Sequence, residues 1–369
     1  MMTSKRRLIA SAPLLLGAPL FTGGSQGSGT ETYDAVAERT WRARPPVGAQ
    51  GAALALELVR YATLAPSSHN TQCWKFVLDA NGRSISILPD LARRCPAVDP
   101  DDHHLFVSLG CAAENLIQAG LAHGLKGEVQ FDTRGNAVRV MLETTRAQTT
   151  PLFTAIPGRQ CTRGDYDGKP LSSEELALLE RAGSSNTVRL LLLTERQAVE
   201  QTLEYVIQSN TAQLADVAFV KELKDWIRFN GTDAVLMRDG LYSASSGNPN
   251  IPSWIGDVAF RWLLTAKGEN EKYARQVRSS AGIAAFVGQA ADKAHWVEVG
   301  RCYERFALQA TALGIRNAFL NQPVEVASIR PQFAAAVGLA GQRPDLVVRF
   351  GRGPTLPRSL RRPVQAVLV

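Results

Sequence analysis

Leu64-Ala65-Pro66-Ser67-Ser68-His69-Asn70-Thr71-Gln72-Cys73-Trp74-Lys75-Phe76 joins a helical pattern to a strand. Upstream, Leu54, Leu58, Tyr61 and Ala62 recur at helical spacing. Pro66 ends that helix by driving Ala65 out of the α region. Downstream, Trp74 to Leu78 reads as a strand, and Asn81-Gly82 turns it into a second strand from Ser84 to Leu88. The turn between helix and strand carries Ser67, Ser68, His69, Asn70 and Gln72, all able to hydrogen-bond. Taken alone, such a run is an ordinary helix-to-strand loop. Held by structure on both sides, it can also present ordered polar groups to a ligand.

Working outward, a long apolar helix is expected from Asp101 to His123. Leu105, Leu109, Ala112, Ala113, Leu116 and Gly120 share one face. Val107, Ile117 and Leu121 fall outside that face, so the helix should be central. Asp99 to Asp102 read as its start, which makes His103-His104 a capped surface end. Gly124 closes it, and strands follow at Glu128 to Phe131 and Val138 to Leu142.

From Ile156 the order repeats. Ser172 and Glu175 form a capping box before Leu176, Leu179 and Ala182. Gly183-Ser184-Ser185-Asn186 and an apolar strand, Val188 to Leu193, come next. Gly110, Glu114, Ala122 and Gly124 fall on Gly300, Glu304, Ala312 and Gly314 at a constant offset of 190. That offset predicts a second central helix from about Lys293 to Leu313, and a strand follows at Leu346 to Phe350. The chain reads as two similar halves, 37–150 and 151–369, fused in tandem. The second is lengthened by an insertion over about 201–270, either a lid over a site or a packed surface excursion. Its Trp226-Ile227-Arg228-Phe229 and Asp239-Gly240-Leu241 blocks carry no assignable chemistry. Gly247, Pro249, Pro252 and Trp254 suggest an irregular lobe around a buried aromatic.

A chain of 369 residues, 45% hydrophobic, can bury one large core or two ordinary ones. The formal charge is +7, three of it from Lys5, Arg6 and Arg7. No basic block is interleaved with aromatics, which argues against a nucleic-acid partner. Five cysteines, Cys73, Cys95, Cys111, Cys161 and Cys302, are scattered without a CxxC pair or a histidine at metal spacing. That argues against a disulfide framework and a structural zinc site, and no metal is expected. The one Gly-x-Ser-x-Gly, Gly23 to Gly27, lacks a strand-turn-helix context, so no protein nucleophile is expected. Residues 1–25, with Lys5-Arg6-Arg7 before an apolar run from Leu8 to Phe21, have the layout of an export signal. Arg6-Arg7 resembles a twin-arginine signal, which makes the protein exported and periplasmic. An ordinary secretory signal or an uncleaved membrane anchor is the alternative. Residues 26–36 then read as a linker, and no apolar run beyond residue 25 reaches membrane-spanning length.

Pro-Ser-Ser-x-Asn-x-Gln-x-Trp-x-Phe, Pro66 to Phe76, resembles the flavin-contacting loop of the FMN-dependent nitroreductase family. In that family proline usually stands where this chain has Cys73. Arg159-Gln160-Cys161-Thr162-Arg163, with Tyr166, resembles the family's Arg-x-Ser-x-Arg entry to the FMN phosphate, with Cys161 in place of the serine. The resemblance implies an α+β, nitroreductase-like fold. Its fused-repeat, Acg-like form would be an internal pseudo-dimer of two half-repeats around central helices and antiparallel sheets, sufficient as a monomer. It also implies FMN, with NAD(P)H as reductant and a small-molecule electron acceptor, nitroaromatic or quinone-like. Cofactor contacts would come from Pro66, Ser67, Ser68, Asn70 and Gln72 of the first half and from Arg159, Cys161 and Arg163 of the second. Asn321, following the second repeat helix, and Arg358 and Arg361 of the C-terminal tail would complete the set. The mirror site, Arg39 and Arg42 with Ser184 to Asn186, looks decayed. No catalytic side chain is implied, since the flavin carries the chemistry. The alternative is a flavin-sequestering or cofactor-free protein of the same build.

Overall fold

The computed structural model describes residues 31–43, 50–79 and 81–369. The expected export signal lies outside the described residues, as do residues 26–30 of the expected linker.

Helix α1 (Tyr33–Trp41) begins inside the segment read as a linker. Thr32 caps it by accepting the Ala35 N–H, and Asp34 sits in its first turn, both ordinary helix-start signals. The first half then runs α2 (Gly51–Thr63), β1 (Trp74–Leu78), β2 (Ser84–Pro89), α3 (His103–Ala122), β3 (Leu125–Asp132) and β4 (Ala137–Thr144). A short helix, α4 (Pro151–Ala155), leads to α5 (Ser173–Gly183) and β5 (Val188–Leu193). The insertion follows as α6 (Arg196–Ala215), α7 (Val217–Asp225), β6 (Ile227–Arg228), α8 (Gly231–Met237), β7 (Leu241–Tyr242), α9 (Ser253–Leu263) and α10 (Ala266–Arg278). It therefore fills the whole interval between β5 and β8 and is longer than the sequence suggests. β8 (Gly282–Gly288), α11 (Lys293–Ala312), β9 (Arg316–Phe319), α12 (Gln322–Glu325), α13 (Arg330–Ala336) and β10 (Leu346–Gly351) complete the second half.

The α+β class expected from the sequence is the one observed. The two four-stranded sheets are antiparallel throughout and share one topology, β1-β2-β4-β3 and β5-β8-β10-β9. In each, two strands precede a 20-residue central helix and two follow it. The central helices α3 and α11 pack directly on each other. A Cβ on Gly110 would lie 2.0 Å from the Val297 carbonyl oxygen, and one on Gly300 would lie 2.0 Å from that of Val107. The two contacts are images of each other under the offset of 190. Among the described residues α3 alone is long and apolar enough to cross a membrane, and nearly all of it is buried in the core. The His103-His104 pair is buried too, contrary to a surface helix end. Asp99 caps the helix by accepting the His104 and Leu105 N–H groups, while both rings pack inward beside Asp345 and Glu325.

Strand alternation explains the insertion's position. Ala284 and Phe286 of β8 face the central helices, whereas Ile283, Ala285 and Val287 pack with Val199, Leu203 and Val206 of α6 and Val277 of α10. A strand apolar on both faces needs cover on both sides, and the insertion supplies the outer layer. Its irregular lobe buries Phe229 and Phe260, rings 6.3 Å apart, with Gly256 pressed against Phe229. Trp254 is 72% exposed, so it is not the buried aromatic that the prolines suggested.

The C-terminal tail crosses back to the first half. Phe76 donates its N–H to the Val367 carbonyl, and Val369 donates to that of Phe76, adding the tail to the β1 edge. In the second half the expected capping box is present: Ser172 accepts the Glu175 N–H while Glu175 accepts that of Ser172. Ser172→Ala should lower stability by about 1 kcal/mol, measured as a shifted urea midpoint with an unchanged slope.

Candidate functional site

A cavity of about 250 Å³ lies where both halves and the insertion meet. The loop after α2 supplies Pro66, Ser67, Ser68 and His69, and α3 supplies His104, Ser108 and Cys111. The second half contributes Arg163, Asn321, Gln322, Glu325 and Arg349. The insertion closes the remaining wall with apolar Leu214, Phe219 and Leu223 and polar Lys272 and Tyr273. The volume falls just below the roughly 300–1,000 Å³ of typical ligand pockets.

Of the eleven residues expected to bind a cofactor, Pro66, Ser67, Ser68, Arg163 and Asn321 line this cavity. Arg163 comes close to Ser246 Oγ, at 3.4 Å. Asn321 fixes its own side chain by accepting the Val347 N–H. The other six lie in its supporting structure. Asn70 donates to the Gly240 and Leu360 carbonyls and accepts from Arg361. Gln72 donates to the Arg238 carbonyl and accepts the Arg362 N–H. These two amides tie the loop to the insertion and to the tail. Asn70 and Gln72 both have positive φ, at 53° and 55°, as does His69 at 48°. Three such non-glycine residues in one short loop are unusual, and the Asn70 and Gln72 contacts account for the conformation.

Arg159 turns into the core, where its Nε lies 3.3 Å from Glu304 Oε1 and it donates to the Leu64 carbonyl. Arg361 donates to the Thr63, Leu64 and Ala65 carbonyls, satisfying the end of α2. Burial, then the neighbouring Arg159 charge, brings its pKa down to about 9. Arg358 stacks on Trp41 and donates to the Pro157 carbonyl. Cys161 is half-buried and bridges to Asn317. Tail and entry arginines thus hold helix ends and buried acids. On the mirror side, Arg42 makes an exposed pair with Glu38, and Arg305 donates to the Ser184 carbonyl.

Several lining groups escape a reading of sequence alone. Burial opposes the charged form of His104, but the Glu325 and Asp99 carboxylates outweigh it and bring its pKa up to about 9. Burial lowers the Lys272 pKa, with Arg163 contributing, and pushes Tyr273 up to about 12. Arg349 spreads over the Tyr166 ring at 4.2 Å and donates to the Thr162 and Gly164 carbonyls. Its Nε, like Gln322 Oε1, has no hydrogen-bond partner among the described residues. No spacing in the sequence brings the insertion's Lys272 and Tyr273 to Ser67. The only hint is a polar helix, α10, beside an irregular lobe.

No protein-family model matches the chain. Two relatives, each described as "Putative NAD(P)H nitroreductase" from strains of Mycobacterium tuberculosis, are 25% identical over 319 residues, 83% of this chain and 88% of theirs. Among solved structures, an FMN-dependent nitroreductase of Mycobacterium smegmatis in complex with NADPH aligns over 55% of this chain and 87% of its own. It does so at 14% identity and a TM-score of 0.37. A Bacteroides fragilis nitroreductase with bound FMN aligns over 56% and 90%, at 14% identity and a TM-score of 0.34. Over most of its length the chain is a homologue of proteins described as NAD(P)H nitroreductases, the family that its Pro66–Phe76 and Arg159–Tyr166 stretches resemble.

Proposed function

We propose that this chain is an FMN-dependent oxidoreductase. It would take hydride from a nicotinamide cofactor and pass it to a nitroaromatic or quinone-like acceptor. The observation that carries this reading is the convergence of Pro66, Ser67 and Ser68 from one half with Arg163 from the other on a single cavity. The donor set fits a flavin mononucleotide. Arg163 and Lys272 offer fixed positive charge for a phosphate, Ser67 and Ser68 offer hydroxyls, and Phe219, Leu223 and Phe319 offer apolar wall for a ring. Gln322 Oε1 and Arg349 Nε, buried and without a partner among the described residues, are an acceptor and a donor of the kind a ring edge would satisfy. When bound, FMN would supply the hydride chemistry. The protein's part is to orient it, exclude water and place cationic N–H groups where negative charge grows. His104, held charged by Glu325 and Asp99, adds positive charge to the cavity wall, its two ring nitrogens being engaged by Glu325 and the Asp345 carbonyl.

The half-repeats support a fused pseudo-dimer, since the two sheets share one strand order and the central helices, with their glycine contacts, keep one offset. Export through the twin-arginine route belongs to the same proposal and rests on Arg6-Arg7.

Flavin titration tests the site. Arg163→Ala should weaken FMN binding by about ten- to a hundredfold, the loss expected for one charge-assisted bond. Arg42→Ala should leave it unchanged. Absence of flavin binding by the folded wild-type chain would favour the cofactor-free alternative.

A further inference from the structure

Beside the cavity, three segments remote in sequence bring a soft-metal ligand set together. His69 comes from the loop after α2, Cys95 from the segment after β2, and Glu222 from α7 of the insertion. Their ligand atoms all lie within 4.8 Å of one another, and His69 Nδ1 is 3.7 Å from Cys95 Sγ. Zinc bound tetrahedrally at ~2.3 Å to sulfur and ~2.0 Å to nitrogen holds those atoms roughly 3.5 Å apart. Each ligand is already fixed. Glu222 is oriented by the Ala97 and Val98 N–H groups, which its two oxygens accept at 2.8 and 3.1 Å. The carboxylate keeps further lone pairs for a cation. Cys95 is a free, buried thiol. The φ of 48° at His69 turns its ring toward the sulfur.

We infer that His69, Cys95 and Glu222 form a binding site for a zinc-like divalent cation that fastens the insertion to the first half, a role separate from the flavin reading. On binding, the Cys95 S–H bond breaks, its proton passes to solvent, and an Sγ–metal bond forms with no change of oxidation state. Thiolate and carboxylate together balance a charge of +2. Three protein ligands leave a fourth position for water. His69 also lines the cavity, and Glu222 lines the outer groove between α7 and Arg93. The cation would therefore sit within the wall that separates them. Holding α7 there would fix Phe219 and Leu223, which form the apolar side of the cavity.

The full chain, stripped with a chelator and titrated with cobalt(II), should develop one equivalent of a thiolate-to-cobalt charge-transfer band, which zinc then abolishes. Zinc should also raise the melting temperature and slow proteolysis within the insertion. Cys95→Ser should lose the band, while Cys161→Ser keeps it. His69→Ala and Glu222→Gln should each weaken binding by at least about tenfold. A folded wild-type chain that gives no charge-transfer band overturns the proposal, whether or not any variant folds. So does a band that survives in folded Cys95→Ser protein.

Discussion

Gly300→Ala should destabilise the fold severely, and Gly110→Ala should do the same. The added methyl carbon would stand 2.0 Å from a backbone carbonyl oxygen of the facing helix, far inside contact distance. The obstacle is backbone in a 20-residue helix, so it cannot rotate aside; α3 and α11 must separate. Separation would loosen the largest core cluster, which takes residues from both helices and both sheets. Overpacking of this kind costs about 3 kcal/mol or more, a large share of the roughly 5–15 kcal/mol that holds a domain folded. The two substitutions should be markedly less than additive, because one separation accommodates both methyl groups. Gly314→Ala is the contrast. Its φ of +71° is unfavourable for alanine, but among the described residues nothing beyond its chain neighbours lies within 4 Å of the added carbon, so the loss should be about 1 kcal/mol. Urea unfolding of the three single variants and the double variant measures all of this. Equal losses at Gly300 and Gly314 would mean that the seam is not tightly packed.

The same seam shows why much of the fold was legible in the sequence. A constant offset with no gap survives only where two helices of equal length keep equal neighbours, as Gly110 and Gly300 do. Strand limits at Trp74–Leu78 and Val188–Leu193 were equally plain, since turn residues bracket short apolar runs. The insertion was misjudged in length because α6 and α10 take their apolar stripes from the need to cover β8, not from any repeat. His103-His104 looked exposed because polar residues precede it. In the fold, Asp345 and Glu325, more than 200 residues away, make its burial tolerable.

The site was legible only in part. Ser67, Ser68 and Arg163 meet at the cavity, yet arginines of the same motifs serve carbonyls and buried acids. An arginine fork satisfies a phosphate and a helix C-terminus with the same geometry, so spacing cannot tell the two apart. Nor does spacing reveal His69, Cys95 and Glu222, whose proximity is created by three separate elements.

Arg159 tests the distinction most sharply. Glu304 is fully buried on α11, and Arg159 is its cationic neighbour at 3.3 Å. Burial pushes the Glu304 pKa up from 4.5 to about 7, and Arg159 restrains the rise. The folded state therefore holds the proton more tightly than the unfolded state. This contribution to stability is full below pH 4.5, falls as pH rises toward 7, and is level above it. Arg159→Met removes the restraint, so the decline should continue beyond pH 7. At pH 8 the variant should be less stable than wild type by about 3–5 kcal/mol, the usual result of stranding one member of a buried pair. At pH 5 Glu304 is protonated in both proteins. There the deficit should shrink to about 1 kcal/mol, the hydrogen bond to the Leu64 carbonyl. Adding Glu304→Gln to Arg159→Met should recover much of the loss at pH 8 and flatten the pH dependence. Denaturant unfolding between pH 5 and 8, without added flavin, gives the comparison. A deficit that is the same at every pH would mean that Arg159 is not the partner of Glu304, and would return it to the set of residues free to meet a phosphate.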